Sequence, residues 1–156
     1  MAPEDKKFMR LALRECEKGI RKGGGPFGCV IVKNGGVVGA GHNTVVNAHD
    51  CTAHAEVNAL RNAGKKLKTH DLTGCVVYTT TEPCPMCFTA IHWGRVKKVF
   101  YGCTRKDASK IGFDDKHFYD ILEHKARDEI AEQQICRNEC VNLFKQWVKN
   151  PRHKTY

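Results

Sequence analysis

Residues 75–103 read CVVYTTTEPCPMCFTAIHWGRVKKVFYGC, and three elements follow from that order. Cys75 to Thr80 is an apolar and β-branched run, the pattern of a buried strand. Pro83 and Pro85 then open a helix, where a missing N–H is tolerated, and it runs to about Trp93-Gly94. Lys98 to Cys103 is a second strand. A strand, helix, strand order with a short connection implies parallel pairing through a right-handed crossover, and with it an α/β fold.

Upstream, Phe8, Leu11, Ala12, Cys16 and Ile20 form one helical stripe between Glu4 and Lys22, stopped by Gly23-Gly24-Gly25. Gly28 to Val32 and Val37 to Gly41 flank Asn34-Gly35-Gly36, which predicts an antiparallel hairpin. Thr44 to Thr52 reads as a connecting loop, and His54 to Ala63 as a second helix closed by Gly64. Beyond Thr104 the expectations are helices around Lys116 to Leu122 and Glu139 to Val148, with a short strand near Gln134 to Cys136.

The helix from His54 carries the chain away at ~1.5 Å per residue, and the next strand brings it back at ~3.3 Å per residue. The N-termini of the second and third helices therefore come to lie side by side. His54 stands at one; Cys84 and Cys87, three apart and so on one helix face, stand at the other. One imidazole and two thiolates are three zinc ligands, and three protein ligands with an open fourth position mark a hydrolytic site rather than a structural one. Helix N-termini carry partial positive charge and lower thiol pKa toward the thiolate that zinc binds. Glu56 is ~200° from His54 on a regular helix, so the two serve one site only at the helix end. There Glu56 is a poor fourth ligand and a well-placed general acid and base. Taken singly, Cys-x-x-Cys also fits a redox pair, and His-Cys-Cys an incomplete structural site.

A chain of 156 residues with 41% apolar and 28% charged residues suits one globular domain. No run approaches the ~18 apolar residues of a membrane span, so no membrane partner is expected. The Met1 to Lys7 segment lacks the order of a signal peptide, and the cytoplasm is the expected location. Nine cysteines is an odd count in a chain that is no small secreted scaffold, so reduced thiols are expected; Cys136 and Cys140 read as core positions on one helix face. The net charge of +9 is dispersed in short pairs such as Lys65-Lys66 and Lys97-Lys98, a solvated basic surface rather than a nucleic-acid groove.

The sequence resembles the cytidine deaminase-like superfamily, and within it the bacterial-type guanine deaminases. The resemblance is carried by Ala53-His54-Ala55-Glu56-Val57 and Glu82-Pro83-Cys84-Pro85-Met86-Cys87, the His-x-Glu and Pro-Cys-x-x-Cys parts of the zinc-deaminase signature. Gly24-Gly25-Pro26-Phe27-Gly28, Ile111-Gly112-Phe113-Asp114-Asp115 and the terminal Tyr156 point to the guanine branch. The resemblance implies a three-layer α/β/α sandwich around a mixed five-stranded sheet. It implies one zinc-dependent deaminase domain over residues 1–156, with one zinc (Zn2+) per subunit held by His54, Cys84 and Cys87. It implies a homodimer, with a C-terminal segment from about residue 104 that covers the active site or exchanges between subunits. Phe27 would stack on a purine, Asn43 would bond its ring, Ala55, Asp114 and Asp115 would contact substrate, Tyr156 would close the lid, and guanine would be hydrolysed to xanthine and ammonia with Glu56 as the catalytic group.

From the residues alone, Asn43 equally fits a turn, Phe27 a core position, and Asp114 and Asp115 a helix N-cap and first-turn acid. Guanosine, cytosine and tRNA adenosine deaminases share the same zinc chemistry. A zinc-stapled binding module without catalysis is the non-enzymatic alternative.

Overall fold

The computed structural model describes residues 3–155. In chain order its elements are α1 (Pro3–Arg21), β1 (Gly28–Lys33), β2 (Gly36–His42), α2 (Val45–Ala48), α3 (Ala55–Leu67), β3 (Val76–Thr81), α4 (Pro85–Trp93), β4 (Lys98–Cys103), α5 (Arg105–Lys110), α6 (Asp115–Leu122) and α7 (Arg137–Lys149). The strands form one mixed sheet in the order β2-β1-β3-β4. β1 runs antiparallel to both β2 and β3, and β3 is parallel to β4 with Val77 opposite Val99. The expected crossover pair is therefore β3-α4-β4.

β1 is buried on both faces, and its alternation divides the core in two. Val30 and Val32 meet Phe8 and Ala12 of α1, together with Tyr78 of β3. Cys29 and Ile31 point the other way, with Val77, onto Ala55, Ala59 and Ala63 of α3 and Ile91 of α4. Helices on both faces of one sheet make the three layers. Ile31 is fully buried, and burial of such a side chain contributes roughly 1.5–3 kcal/mol.

Two local features set where the helices start. Asn34 (φ 50°) and Gly35 (φ 76°) are both left-handed, as a two-residue type I′ hairpin requires, and they return the chain from β1 into β2. β2 then meets α3 almost backbone to backbone. A Cβ on Gly41 would lie 2.6 Å from the Ala55 carbonyl oxygen and 2.7 Å from the Ala59 nitrogen. A side chain there is excluded, and the first turn of α3 is pinned against the sheet.

Several expectations need correction. The sheet has four strands among the described residues rather than five. Gln134 to Cys136, where a short strand was expected, carry none, and residues 127–140 are all exposed. Glu132, Gln133 and Gln134 give that stretch no apolar face to bury. Cys136 and Cys140 are exposed, not core. α3 runs through Gly64 to Leu67 because Lys68 (φ 55°) takes the left-handed capping position; an interior glycine costs only ~1 kcal/mol. The 44–52 loop contains the short α2. α5 was not expected; its signal is the capping box Thr104-x-x-Asp107, in which the Thr104 hydroxyl and backbone N–H both meet the Asp107 carboxylate. Among the described residues, no helix is long and apolar enough to cross a membrane.

Candidate active site

His54 and Cys84 are the N-cap residues of α3 and α4, both in extended backbone (φ −68°, ψ 159° and φ −65°, ψ 167°). Neither side chain makes a cap hydrogen bond, so both are free to turn toward the space between the two helix ends. Cys87 joins them from the first turn of α4. The His54 Nδ1 atom lies 3.5 Å from Cys84 Sγ and 3.6 Å from Cys87 Sγ, and the three donor atoms all fall within 4.8 Å of one another.

These distances test the fit to a metal. Zinc with ~2.3 Å bonds to sulfur and ~2.0 Å bonds to nitrogen, at tetrahedral angles, spaces nitrogen and sulfur donors about 3.5 Å apart. The donor set matches that spacing and the ion's preference for thiolate and imidazole. Cys84 and Cys87 are buried. The Cys84 thiol is held well below its ordinary pKa by the Cys87 S–H and then by the His54 ring. In return the Cys84 thiolate, together with burial, pushes the Cys87 thiol up. Hydrogen bonding to Cys84 raises the His54 pKa. Two thiols and an imidazole competing for protons at this range are a site arranged for a cation.

Glu56, the second residue of α3, is buried at 5% exposure. Its Oε1 accepts a 2.6 Å hydrogen bond from the Thr79 hydroxyl on β3, and its Oε2 lies 3.4 Å from Cys87 Sγ. Burial raises its pKa, opposed by the Thr79 bond. The carboxyl thus faces the donor set without being one of the three converging ligands.

A cavity of about 350 Å³ opens beside these groups, lined among others by Phe27, Asn43, His54, Glu56, Phe113 and Asp115. Phe27 and Phe113 meet edge to face, with ring centres 4.6 Å apart at 81°. Asn43 is buried, and its Oδ1 accepts from the Val45 N–H at 3.2 Å, so it builds the turn into α2 and lines the cavity at once. Asp115, the first residue of α6, also lines it; burial raises its pKa, and the Cys84 thiolate adds to the rise. Asp114 stands at the N-cap position of α6 without a side-chain cap hydrogen bond and does not line the cavity. Ala55 is fully buried in the α3 core. Tyr156 lies outside the described residues. The reading of the residues missed Phe113, Thr79 and Cys51; Phe113 lay within the Gly112-Phe113-Asp114-Asp115 element, but no periodicity marks it as a wall of this cavity. On one flank a second cavity of about 530 Å³ shares Cys51, His54, Cys84 and Asp115 and is otherwise largely apolar, with Met86, Phe118 and Ile121 among its walls.

With that geometry in place, the comparisons with known proteins are specific. The chain is 41% identical over 151 residues to guanine deaminase of Bacillus subtilis, covering 96% of this chain and 97% of that protein. It is 34% identical over 148 residues to a tRNA-specific adenosine deaminase of Buchnera aphidicola, covering 95% and 96%. The X-ray structure of the Bacillus subtilis guanine deaminase superposes with a TM-score of 0.91 at 40% identity, covering 100% of this chain and 99% of that one. The sequence model described as the cytidine and deoxycytidylate deaminase zinc-binding region matches residues 2–103, the part that builds the sheet and both ligand turns. The chain therefore belongs to the cytidine and deoxycytidylate deaminase family of zinc-dependent hydrolases.

Proposed function

We propose that the protein hydrolyses guanine to xanthine and ammonia. The observation that carries this reading is the cavity itself. Its aromatic jaw is Phe27 against Phe113, its polar groups stand beside Glu56 and the three donors, and its volume of about 350 Å³ admits a purine base. The likeness to guanine deaminase along nearly the whole chain supports the same choice.

In this reading Phe27 stacks on the purine, Asn43 and Asp115 bond its ring edge, and Ala55 offers a backbone N–H from the first turn of α3, where such groups have no intrahelical partner. Asp114 acts through α6, whose N-cap it forms. His54, Cys84 and Cys87 would hold zinc, which when bound would lower the pKa of water and so supply a nucleophile near neutral pH. Glu56 takes a proton from the attacking water, delivers it to the adjacent ring nitrogen, and then carries the second proton to the departing amino group. The C2–N bond breaks as the C2–O bond is completed, and ammonia leaves.

The same reading extends to the assembly. Residues 1–156 act as one domain in a cytoplasmic homodimer. α7 has no buried residue and exposes Leu143, Phe144 and Trp147, which supports burial of the C-terminal segment against a second copy, by exchange or by docking, with Tyr156 completing a lid. A polynucleotide substrate is the second reading; the likeness to tRNA-specific adenosine deaminases and the +9 charge favour it.

The deciding experiment is ammonia release from guanine, guanosine, cytosine, adenine and a tRNA at pH 7 with zinc supplied. Guanine is expected to be consumed fastest. Guanine left unchanged overturns the choice of base, and turnover of the tRNA alone establishes the second reading.

A further inference from the structure

We infer that Thr79 is a positioning residue that holds the Glu56 carboxylate in its working orientation. The inference rests on the role proposed for Glu56 and extends it to a residue on a different element.

Thr79, Thr80 and Thr81 are consecutive on β3 and all buried, but strand alternation sends them to different tasks. The Thr80 hydroxyl accepts from the Gly28 N–H at 3.1 Å and ties β3 to β1. Thr81 lines the cavity. Thr79 has no exposure at all, and its hydroxyl donates to Glu56 Oε1 at 2.6 Å across the gap between sheet and helix.

Glu56 has three rotatable side-chain bonds and sits at a helix end; its own backbone and the Cys87 thiol also hydrogen-bond the carboxyl, and the Thr79 hydroxyl adds the 2.6 Å bond from the sheet. Thr79 is β-branched, stiff at χ1, and anchored in the middle of a strand, with Cys29 and Tyr101 as its register partners. The rigid partner therefore orients the flexible one. With Oε1 held by Thr79, Oε2 is the oxygen turned toward the donor set, 3.4 Å from Cys87 Sγ. That leaves one oxygen to move protons and one to keep the group in place. Thr79 does not line the cavity and is not one of the three donors, so it acts through Glu56.

The test compares wild type, Thr79→Val and Thr79→Ser. Valine keeps the shape and removes the donor; serine keeps the donor and removes the methyl. In Thr79→Val the zinc content and KM are expected to stay near wild type, while kcat falls by ~10–100-fold, as for groups that orient a reacting shell. Thr79→Ser restores most of kcat. A hydroxyl that matters only for packing would not give that split or that rescue. Wild-type kcat in Thr79→Val overturns the proposal, as does a loss that follows zinc and is not recovered by serine. Should Thr79→Val fail to accumulate, Thr79→Ala takes its place against the same serine rescue. Failure of the wild type on every base would instead count against the functional reading. In that case the crystal structures decide: a Glu56 carboxyl that keeps its place without the Thr79 hydroxyl overturns the proposal, and a displaced one supports it.

Discussion

The Arg105 guanidinium lies 3.8 Å from the centre of the Tyr119 ring, and it binds Glu82 at the same time. Its Nη2 and Nε donate to Glu82 Oε1 at 2.7 and 3.1 Å, and the Arg105 backbone N–H donates to Oε2 at 2.9 Å. The Tyr119 hydroxyl completes the cluster by donating to the Pro83 carbonyl at 2.9 Å. α5 and α6 are thereby tied to the two residues that precede Cys84. The cluster also separates two of the three carboxylates that line one cavity. Glu82 is neutralised, with its pKa held down by Arg105, whereas burial raises that of Glu56. Environments that push two carboxyl groups apart assign them different tasks, and of this pair Glu56, not Glu82, is the group able to take up and return a proton.

Arg105→Ala is expected to destabilise the protein by about 1–2 kcal/mol, the sum of one cation–π contact and one well-formed ion pair. For a chain of this size that is a fall of roughly 2–8 °C in melting midpoint. KM should rise as well, because α6 carries Asp115 and follows Phe113. Thermal melts and steady-state kinetics check both, and a variant with unchanged midpoint and KM would show that the cluster holds nothing.

Gly41→Ala probes the contact between β2 and α3. The new Cβ would meet the Ala55 oxygen at 2.6 Å and the Ala59 nitrogen at 2.7 Å, both backbone atoms that can yield only if the helix moves. Overpacking of this kind costs about 1–3 kcal/mol. Because His54 and Glu56 ride on that helix end, zinc affinity should fall with stability. Gly36→Ala is the control: its Cβ would meet nothing closer than the Lys33 oxygen at 3.7 Å. Chelator-challenge release of zinc, compared between the two variants, separates a helix shift from a general loss of fold.

Acid should reveal the capping box of α5. Bonds from Thr104 lower the Asp107 pKa to about 2. A carboxylate whose folded pKa is depressed stabilises the fold above its unfolded value, near 3.9, and loses that contribution as pH falls through the folded value. The gap in melting temperature between wild type and Asp107→Asn should hold steady above about pH 4 and narrow toward pH 2. A gap that widens in acid would contradict the sign.

What could be read directly from the residues was what local chemistry dictates. The Asn34-Gly35 turn, the stripe of α1 and the β3-α4-β4 unit follow from turn geometry and periodicity, and the pairing of the His54 and Cys84 helix ends follows from element lengths. The meeting of Phe27 with Phe113 does not, because it depends on where α5 and α6 dock after the sheet is complete. The hydroxyl of Thr79 is similar: the run Val76 to Thr81 reads as a buried strand, but its partner is decided by the placement of α3 over β1 and β2. The expected fifth strand failed for a related reason. Gln134 to Cys136 lie in an exposed stretch with no alternating face, so nothing in this fold buries them as a strand.

Glu56→Gln distinguishes the proton carrier from the scaffold around it. Glutamine has the shape of glutamate, and its Oε1 can still accept the Thr79 hydrogen bond, so the side chain keeps its place. It also buries no charge, and the fold should hold. Because the amide takes up no proton near neutral pH, turnover should fall by at least the ~10²–10⁴-fold that general acid–base catalysis contributes. Zinc content should remain near one per chain, since His54, Cys84 and Cys87 are untouched. Chelation of the wild type gives the opposite pattern: activity is lost with the metal and returns when zinc is added back. A Glu56→Gln variant that binds zinc and releases ammonia at the wild-type rate would remove Glu56 from the mechanism and return Glu82 or Asp115 to consideration.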